Sequence, residues 1–179
     1  MRLLADAGQK VVTTTLNKDP WNNQCFDSYA DMIVWTKNAD GAWSYDYTVF
    51  DRWVELMTGL GIDHTINCYS MLPWNNELRY RDGVTGRFVD VTADPGTPAF
   101  EELWVPFLTD FTGHLREKGW LGRTNIAMDE RSPEEMTDAL DLLRKTAPEL
   151  GIAMADNKNS YLSYPFINSM CVKVRDRVP

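Results

Sequence analysis

Apolar and polar positions along the chain follow two periods, one typical of strands and the other of helices. Short runs rich in β-branched residues predict strands at Val11–Leu16, His64–Ser70, Thr124–Asp129, Gly151–Asp156 and Met170–Val174. Apolar residues at helical spacing between these runs predict helices at about Tyr47–Leu60, Pro98–Lys118 and Pro133–Thr146. This order of elements predicts an α/β fold with a parallel sheet and right-handed crossovers.

The start of the third helix is the element boundary that the sequence marks best. Ser132 is a natural N-cap, Pro133 suits the first helical position, and Glu135 completes a capping box. The dipeptide Asp129-Glu130 precedes this cap, so it lies where a strand turns into a helix.

Loop lengths locate a functional site before any motif is considered. The connections from helix back to strand are short, at Gly61–Asp63, Gly119–Arg123 and Pro148–Leu150. Two connections from strand to helix are long, Asn17–Asp46 and Met71–Thr97. In a parallel α/β fold these loops gather at the carboxyl ends of the strands, where active sites lie. Long loops in a small domain are usually functional.

The two long loops combine aromatic rings with amide side chains. They carry Trp21, Asn22, Asn23, Gln24, Trp35, Asn38 and Trp43, and then Trp74, Asn75, Asn76 and Tyr80. Rings of this kind stack on the C–H face of a sugar while polar groups bind its hydroxyls, so the loops indicate a carbohydrate site. The alternative is that the tryptophans only anchor the loops.

Strand alternation directs three polar side chains to the mouth of the predicted half barrel, which is the end where the carboxyl ends of its parallel strands meet. Ile126 and Met128 belong to the apolar helix side of their strand, so Asp129 lies on the inner side at its carboxyl end. By the same alternation, Asn67 and Tyr69 are inner side chains of the preceding strand. They are either substrate contacts or members of a structural hydrogen-bond network.

Asp129 and Glu130 are the strongest candidates for catalysis. Two neighbouring carboxylates push their pKa values apart, which leaves one as an acid and one ionised. The alternative is that Asp129 caps the strand end and Glu130 complements the helix dipole.

Charge and composition exclude several classes of function. The net charge of −8 and pI of about 4.7 disfavour nucleic-acid and anionic-membrane partners, which need a basic face. No apolar run is long enough to span a membrane. The three cysteines lack metal-ligand or disulfide spacing, and His64 and His114 are far apart, so we predict buried thiols and histidines that are structural or surface groups.

Chain length bounds the architecture. The 179 residues are about 70 short of the roughly 250 that a complete (β/α)₈ barrel needs. Met1–Asp6 lacks the apolar core of a signal peptide and resembles the tail of a helix, so the chain is expected to start inside a larger fold. We therefore expect residues 1–179 to form one partial TIM-type (β/α) barrel, with about four to five parallel strands and three main helices.

Several motifs together resemble glycoside hydrolase family 123. They are Gly8-Gln9-Lys10, Pro20-Trp21-Asn22-Asn23-Gln24, Cys68-Tyr69-Ser70-Met71-Leu72-Pro73-Trp74, Gly119-Trp120 and Ile126-Ala127-Met128-Asp129-Glu130. The likeness covers most of Leu3–Asn157. Members of this family are mostly bacterial β-N-acetylgalactosaminidases with a (β/α)₈ catalytic domain, usually preceded by a β-sandwich.

The resemblance implies a retaining, substrate-assisted glycosidase acting on terminal β-linked N-acetylhexosamine, with N-acetylgalactosamine as the expected sugar. It implies that Asp129 orients the 2-acetamido group and that Glu130 is the acid/base. Trp21, Gln24, Asn67, Tyr69 and Trp74 are the expected substrate-binding residues. No metal or organic cofactor is implied, and the expected partner is a glycan or glycoconjugate substrate.

A half barrel departs from the family pattern because its sheet has open edges. Proteins normally cover such edges, so we expect a fragment of a longer enzyme or self-association through the edges. Two further hypotheses remain open: a carbohydrate-binding half barrel without catalysis, and a structural domain in which Asp129 and the tryptophans only pack.

Overall fold

Five parallel strands form the main sheet of the chain, whose computed structural model describes residues 1–21, 24, 31–156 and 160–172. In spatial order the strands are β1 (Val11–Thr15), β4 (Thr65–Tyr69), β7 (Thr124–Asp129), β8 (Gly151–Asp156) and β9 (Ser169–Val172). All four pairings are parallel, so the predicted half barrel is confirmed. Residues 173 and 174, the end of the last predicted strand, lie outside the described residues.

The helices follow the strands in the predicted order. They are α1 (Arg2–Asp6), α2 (Thr48–Gly59), α3 (Pro98–Glu117) and α4 (Pro133–Thr146), with short 3-10 turns at Leu121–Arg123 and Ser160–Ser163. The capping box at Ser132 is formed in both directions with Glu135. α3 begins at Thr97, whose side chain accepts a hydrogen bond from the N–H of Phe100. The three long helices thus begin and end within one residue of their predicted bounds.

A second, four-stranded sheet occupies parts of the two segments predicted as long loops. Its strands are β2 (Val34–Lys37), β3 (Trp43–Asp46), β5 (Glu77–Asp82) and β6 (Phe88–Thr92), in the spatial order β3-β2-β5-β6. Each long segment supplies one antiparallel hairpin, and the hairpins join through a parallel pairing of β2 with β5. The expectation of long loops without strands is therefore wrong for these residues.

The small sheet is held by an aromatic cluster under α3. Trp35 of β2 is 1% exposed and stacks on Phe107 of α3 with ring centroids 4.4 Å apart. Its indole N–H donates to the carbonyl of Leu16, which follows β1. Burying so large a ring contributes several kcal/mol to folding. This cluster joins β2 and β3 of the small sheet to α3 and to the end of β1.

The histidines and cysteines of the described residues differ in their surroundings. His64 and Cys171 are exposed, so the prediction of buried thiols is wrong for Cys171. His114 of α3 stacks on Tyr47 and lies 2.7 Å from the carboxylate of Asp51 on α2, so it joins two helices. Cys68 is a buried free thiol, and Cys171 is an exposed one. Cys25 lies outside the described residues, as do Asn22 and Asn23.

Candidate active site

Asp129 ends β7 and is held in place from the other side of the mouth. The indole Nε1 of Trp21 donates a 2.9 Å hydrogen bond to Oδ2 of Asp129, across 108 positions of sequence. The backbone N–H of Trp21 in turn donates to the carboxylate of Asp19, which fixes the turn after β1. Trp21 therefore touches the candidate catalytic carboxylate directly, through a polar contact that the sequence did not predict.

Tyr69 lies beside this pair at the end of β4. Its ring is 5.5 Å from that of Trp21, centroid to centroid, and the residue is 9% exposed. Burial, followed by the charges of Asp129 and Cys171, raises the pKa of Tyr69 to about 12. Its phenol therefore stays protonated at neutral pH and can donate a hydrogen bond to a ligand.

Small residues pack against Tyr69 and Trp21. Ala127 of β7 and Ala153 of β8 are fully buried against Tyr69, and Ala155 packs beside them. Inner positions of closed barrels are usually filled by bulky branched residues. Strand alternation in Ile126–Met128 predicts Ala127 on the inner face, whereas Ala153 and Ala155 of Ile152–Asp156 were not singled out from the sequence.

Glu130 leaves the strand geometry at the start of the turn. Its φ is +41°, and its backbone N–H donates to the carbonyl of Ala155 on β8. Left-handed backbone is uncommon for residues other than glycine and costs about 1 kcal/mol or more. The strand alternation that would send Glu130 into the helix layer ends here, and its side chain is exposed.

Asn67 lies on the predicted inner face, one inner position deeper than Tyr69. Its side-chain carbonyl accepts from Nδ2 of Asn125, and its own Nδ2 donates to the hydroxyl of Ser169 on β9. Asn67 is 7% exposed, so both ends of its amide belong to a buried network that joins residues of three strands. A direct role of Asn67 in substrate binding stays a prediction.

Trp74 stands at the rim and is fixed through its backbone. Its N–H donates to the carbonyl of Pro20, and its carbonyl accepts from Nη1 of Arg131. The residue is 37% exposed, the value expected for an aromatic platform at the edge of a site. The neighbouring cavity of about 20 Å³ has room for about one water molecule and none for a sugar.

The remaining loop residues divide between rim and core. Gln24 is exposed, and its backbone N–H turns back onto the carbonyl of Trp21. Trp35 is buried in the core, and Trp43 packs edge-on against Tyr80 of the small sheet. The anchoring alternative is therefore correct for Trp35.

The described residues offer no group of three or more histidine, cysteine or carboxylate side chains that could hold a metal ion. The same residues include no helix that is long and apolar enough to cross a membrane.

Comparisons with known proteins agree with this geometry. The family model described as the catalytic domain of glycoside hydrolase 123 matches residues 1–179. A solved family 123 glycoside hydrolase from Clostridium perfringens, studied for glycolipid glycan hydrolysis, has a TM-score of 0.87 and 33% sequence identity with the chain. The match covers 97% of this chain and 32% of that one, so the chain spans about a third of its relative's length. No curated protein matches the sequence.

Proposed function

The chain belongs to glycoside hydrolase family 123, and from this premise we propose that it hydrolyses terminal β-linked N-acetylhexosamine, with N-acetylgalactosamine preferred, by substrate-assisted retention. One observation carries the proposal. Asp129 is fixed at the carboxyl end of β7 by the indole of Trp21, and the exposed Glu130 follows it on a left-handed turn. Two adjacent carboxylates in this arrangement suit a reaction in which the substrate supplies its own nucleophile.

In the first step the carbonyl oxygen of the 2-acetamido group attacks C1 of the sugar. The bond from C1 to the leaving oxygen breaks, and Glu130 transfers its proton to that oxygen. Asp129 accepts a hydrogen bond from the acetamido N–H and stabilises the positive charge of the oxazolinium ring. Because Trp21 engages Oδ2, we assign the acetamido N–H to Oδ1.

In the second step Glu130 acts as a base. It takes a proton from a water molecule, whose oxygen attacks C1 and opens the oxazolinium ring. Two inversions at C1 give net retention of the β configuration. Asp129 then releases a neutral acetamido group.

The other residues at the mouth would bind the sugar. Tyr69 is a protonated donor beside Asp129, and the small side chains of Ala127 and Ala153 pack against it. Trp74 offers a half-exposed ring at the rim for stacking, and Gln24 offers an amide. The glycolipid substrate of the Clostridium perfringens relative supports a glycoconjugate as the natural substrate.

The test compares aryl β-N-acetylgalactosaminide with the matching glucosaminide. The wild-type chain should cleave the galactosaminide faster, and NMR should detect the β-anomer as the first product. Glu130→Gln should lower kcat by about 10²- to 10⁴-fold, the usual contribution of general acid–base catalysis. Asp129→Asn should lower it comparably, because the oxazolinium charge loses its partner.

Glu134→Gln is the matched control, since Glu134 is an exposed carboxylate in the first turn of α4. It should leave turnover unchanged. Turnover that survives Glu130→Gln would contradict the acid/base assignment, and a first product in the α configuration would contradict retention.

A carbohydrate-binding module without catalysis is the second candidate. The observation that favours it is the open sheet, because five strands supply only one wall around Asp129. Sugar-induced change in tryptophan fluorescence without turnover would support this candidate over the hydrolase.

A further inference from the structure

Arg131 is the side chain that joins the two loops bearing the candidate catalytic and rim residues. Its Nη1 donates to the carbonyl of Trp74 at 2.9 Å, and its Nη2 donates to Oδ1 of Asn76 at 2.7 Å. Nη2 also pairs with the carboxylate of Glu135 on α4. The side chain is only 10% exposed, so water competes little for these bonds.

The partners of Arg131 are themselves fixed. Asn76 has a φ of +54° and donates from Nδ2 to Asp94, while its carbonyl accepts from the N–H of Ala93. Burial alone would raise the pKa of Glu135, but hydrogen bonds from Ser132 and the charge of Arg131 outweigh it and lower that pKa. Arg131 therefore lies between rigid acceptors, one of them ionised.

One donor of the Arg131 guanidinium is left without a partner in this arrangement. Its Nε is buried and has no hydrogen-bond partner among the described residues. Leaving a buried donor unsatisfied is unfavourable, so the position of the group is dictated by the two Nη atoms. That position links the loop at Trp74 to the turn at Glu130.

We propose that Arg131 is a positioning residue that fixes the Glu130 carboxylate against the leaving-group side of the bound sugar. The turn from Glu130 to Ser132 is otherwise held by bonds to Ala155 of β8 and by the capping box of α4. Of these contacts, the one through Arg131 reaches the loop of Trp74, across 57 positions of sequence. The proposal rests on the assignment of Glu130 as acid/base.

The test uses two leaving groups with the full chain. A dinitrophenyl N-acetylgalactosaminide departs without protonation, whereas an alkyl or sugar aglycone needs the proton of Glu130. Arg131→Gln should lower kcat for the alkyl substrate by about 10²-fold and for the dinitrophenyl substrate by only a few-fold. Arg131→Lys keeps one charged donor group, so it should restore part of the lost kcat for the alkyl substrate and part of the pH dependence of kcat.

Two further variants separate the leaving-group effect on kcat from a general folding defect. Glu135→Gln removes the ionic partner while a glutamine can still form the capping box, so it should give a smaller loss with the same leaving-group dependence. Arg116→Gln is the control, because Arg116 forms an exposed pair with Glu149, and it should change either rate less than about twofold.

Equal loss on both substrates, or no loss on either, would overturn the proposal. If the wild-type chain hydrolyses neither substrate, the proposed function fails and amide hydrogen exchange decides the role of Arg131. Arg131→Gln should then speed exchange at Trp74 and Glu130 at least about tenfold through local opening, with the middle of α4 unchanged. Unchanged exchange at both amides would refute the link between the loops.

Discussion

Two tryptophans that follow β1 both donate their indole N–H, but to acceptors in different parts of the molecule. Trp35 donates its indole N–H to the carbonyl of Leu16 and is buried among the rings of α3 and the small sheet. Trp21 donates its indole N–H to the carboxylate of Asp129 and is half-buried at the mouth. The two residues are fourteen positions apart in one segment. The acceptor of each indole N–H therefore distinguishes Trp35, which anchors the small sheet, from Trp21, which belongs to the candidate site.

The difference predicts which property each residue controls. A ring packed on Phe107, Trp104 and Tyr45 contributes through buried area and ring contacts, which act on folding. A single hydrogen bond to a carboxylate contributes little buried area but sets where the carboxylate lies. Stability should therefore depend on Trp35, and activity on Trp21.

The largest effect is expected from Trp35→Ala. Removing a fully buried ring leaves a cavity and an unpaired carbonyl at Leu16, which should lower the free energy of unfolding by about 3–5 kcal/mol. Chemical denaturation followed by circular dichroism measures the loss. Trp43→Ala is the control, because Trp43 is half-buried on the small sheet, and its loss should be clearly smaller. Equal losses would refute the anchoring role of Trp35.

Trp21→Phe should lower activity more than stability. It keeps an aromatic ring beside Tyr69 but removes the N–H that holds Asp129. A hydrogen bond to a charged group contributes about 1.5–3 kcal/mol, so kcat/KM should fall by about 10- to 100-fold. The free energy of unfolding should fall by no more than the contribution of this hydrogen bond, and by less than it falls for Trp35→Ala.

A double-mutant cycle with Asp129→Asn tests whether Trp21 acts by positioning the Asp129 carboxylate or by a general effect on the structure of the mouth. If Trp21 acts through Asp129, the effect of Trp21→Phe should nearly vanish in the Asp129→Asn background. Effects that add on a logarithmic scale would mean that Trp21 acts on the substrate independently.

The parts of the fold predicted from the sequence are those specified by local patterns. Thr124–Asp129, Gly151–Asp156 and Pro133–Thr146 have their predicted bounds, because alternation, helical spacing and a capping box are each readable within one segment. The small sheet was missed because its strands of four to six residues are short, and because β2 meets β5 across the chain, as in the pairing of Thr36 with Arg81. The Asp-Gly pairs at Asp40 and Asp82 were the available turn signal.

The candidate site was predictable to the level of strand faces. Alternation placed Tyr69 and Asp129 on the inner side, where both lie. It could not predict that Asn67 would pair with Asn125, since register between strands depends on tertiary packing. Contacts between loops were also beyond sequence reasoning, because those of Trp21 with Asp129 and of Arg131 with Trp74 join residues distant along the chain.

The smallest effect concerns the tyrosines of the same two regions at alkaline pH. Burial, with the charge of Asp110, raises the pKa of Tyr45 and Tyr47 in the core further than that of Tyr69, which burial and then Asp129 raise to about 12. A raised pKa means that the folded state keeps a proton that the unfolded state loses above pH 10. The contribution to stability is therefore complete below pH 10 and is lost as the pH rises towards 12, by at most about 1.4 kcal/mol per pH unit for each tyrosine.

Chemical denaturation between pH 9 and 11 should show a shallower decline in the free energy of unfolding for Tyr69→Phe than for the wild type. Absorbance at alkaline pH should show that Tyr69 ionises before the core tyrosines. Identical slopes for the two proteins would mean that Tyr69 ionises as freely as a tyrosine in water, which would contradict its burial beside Asp129.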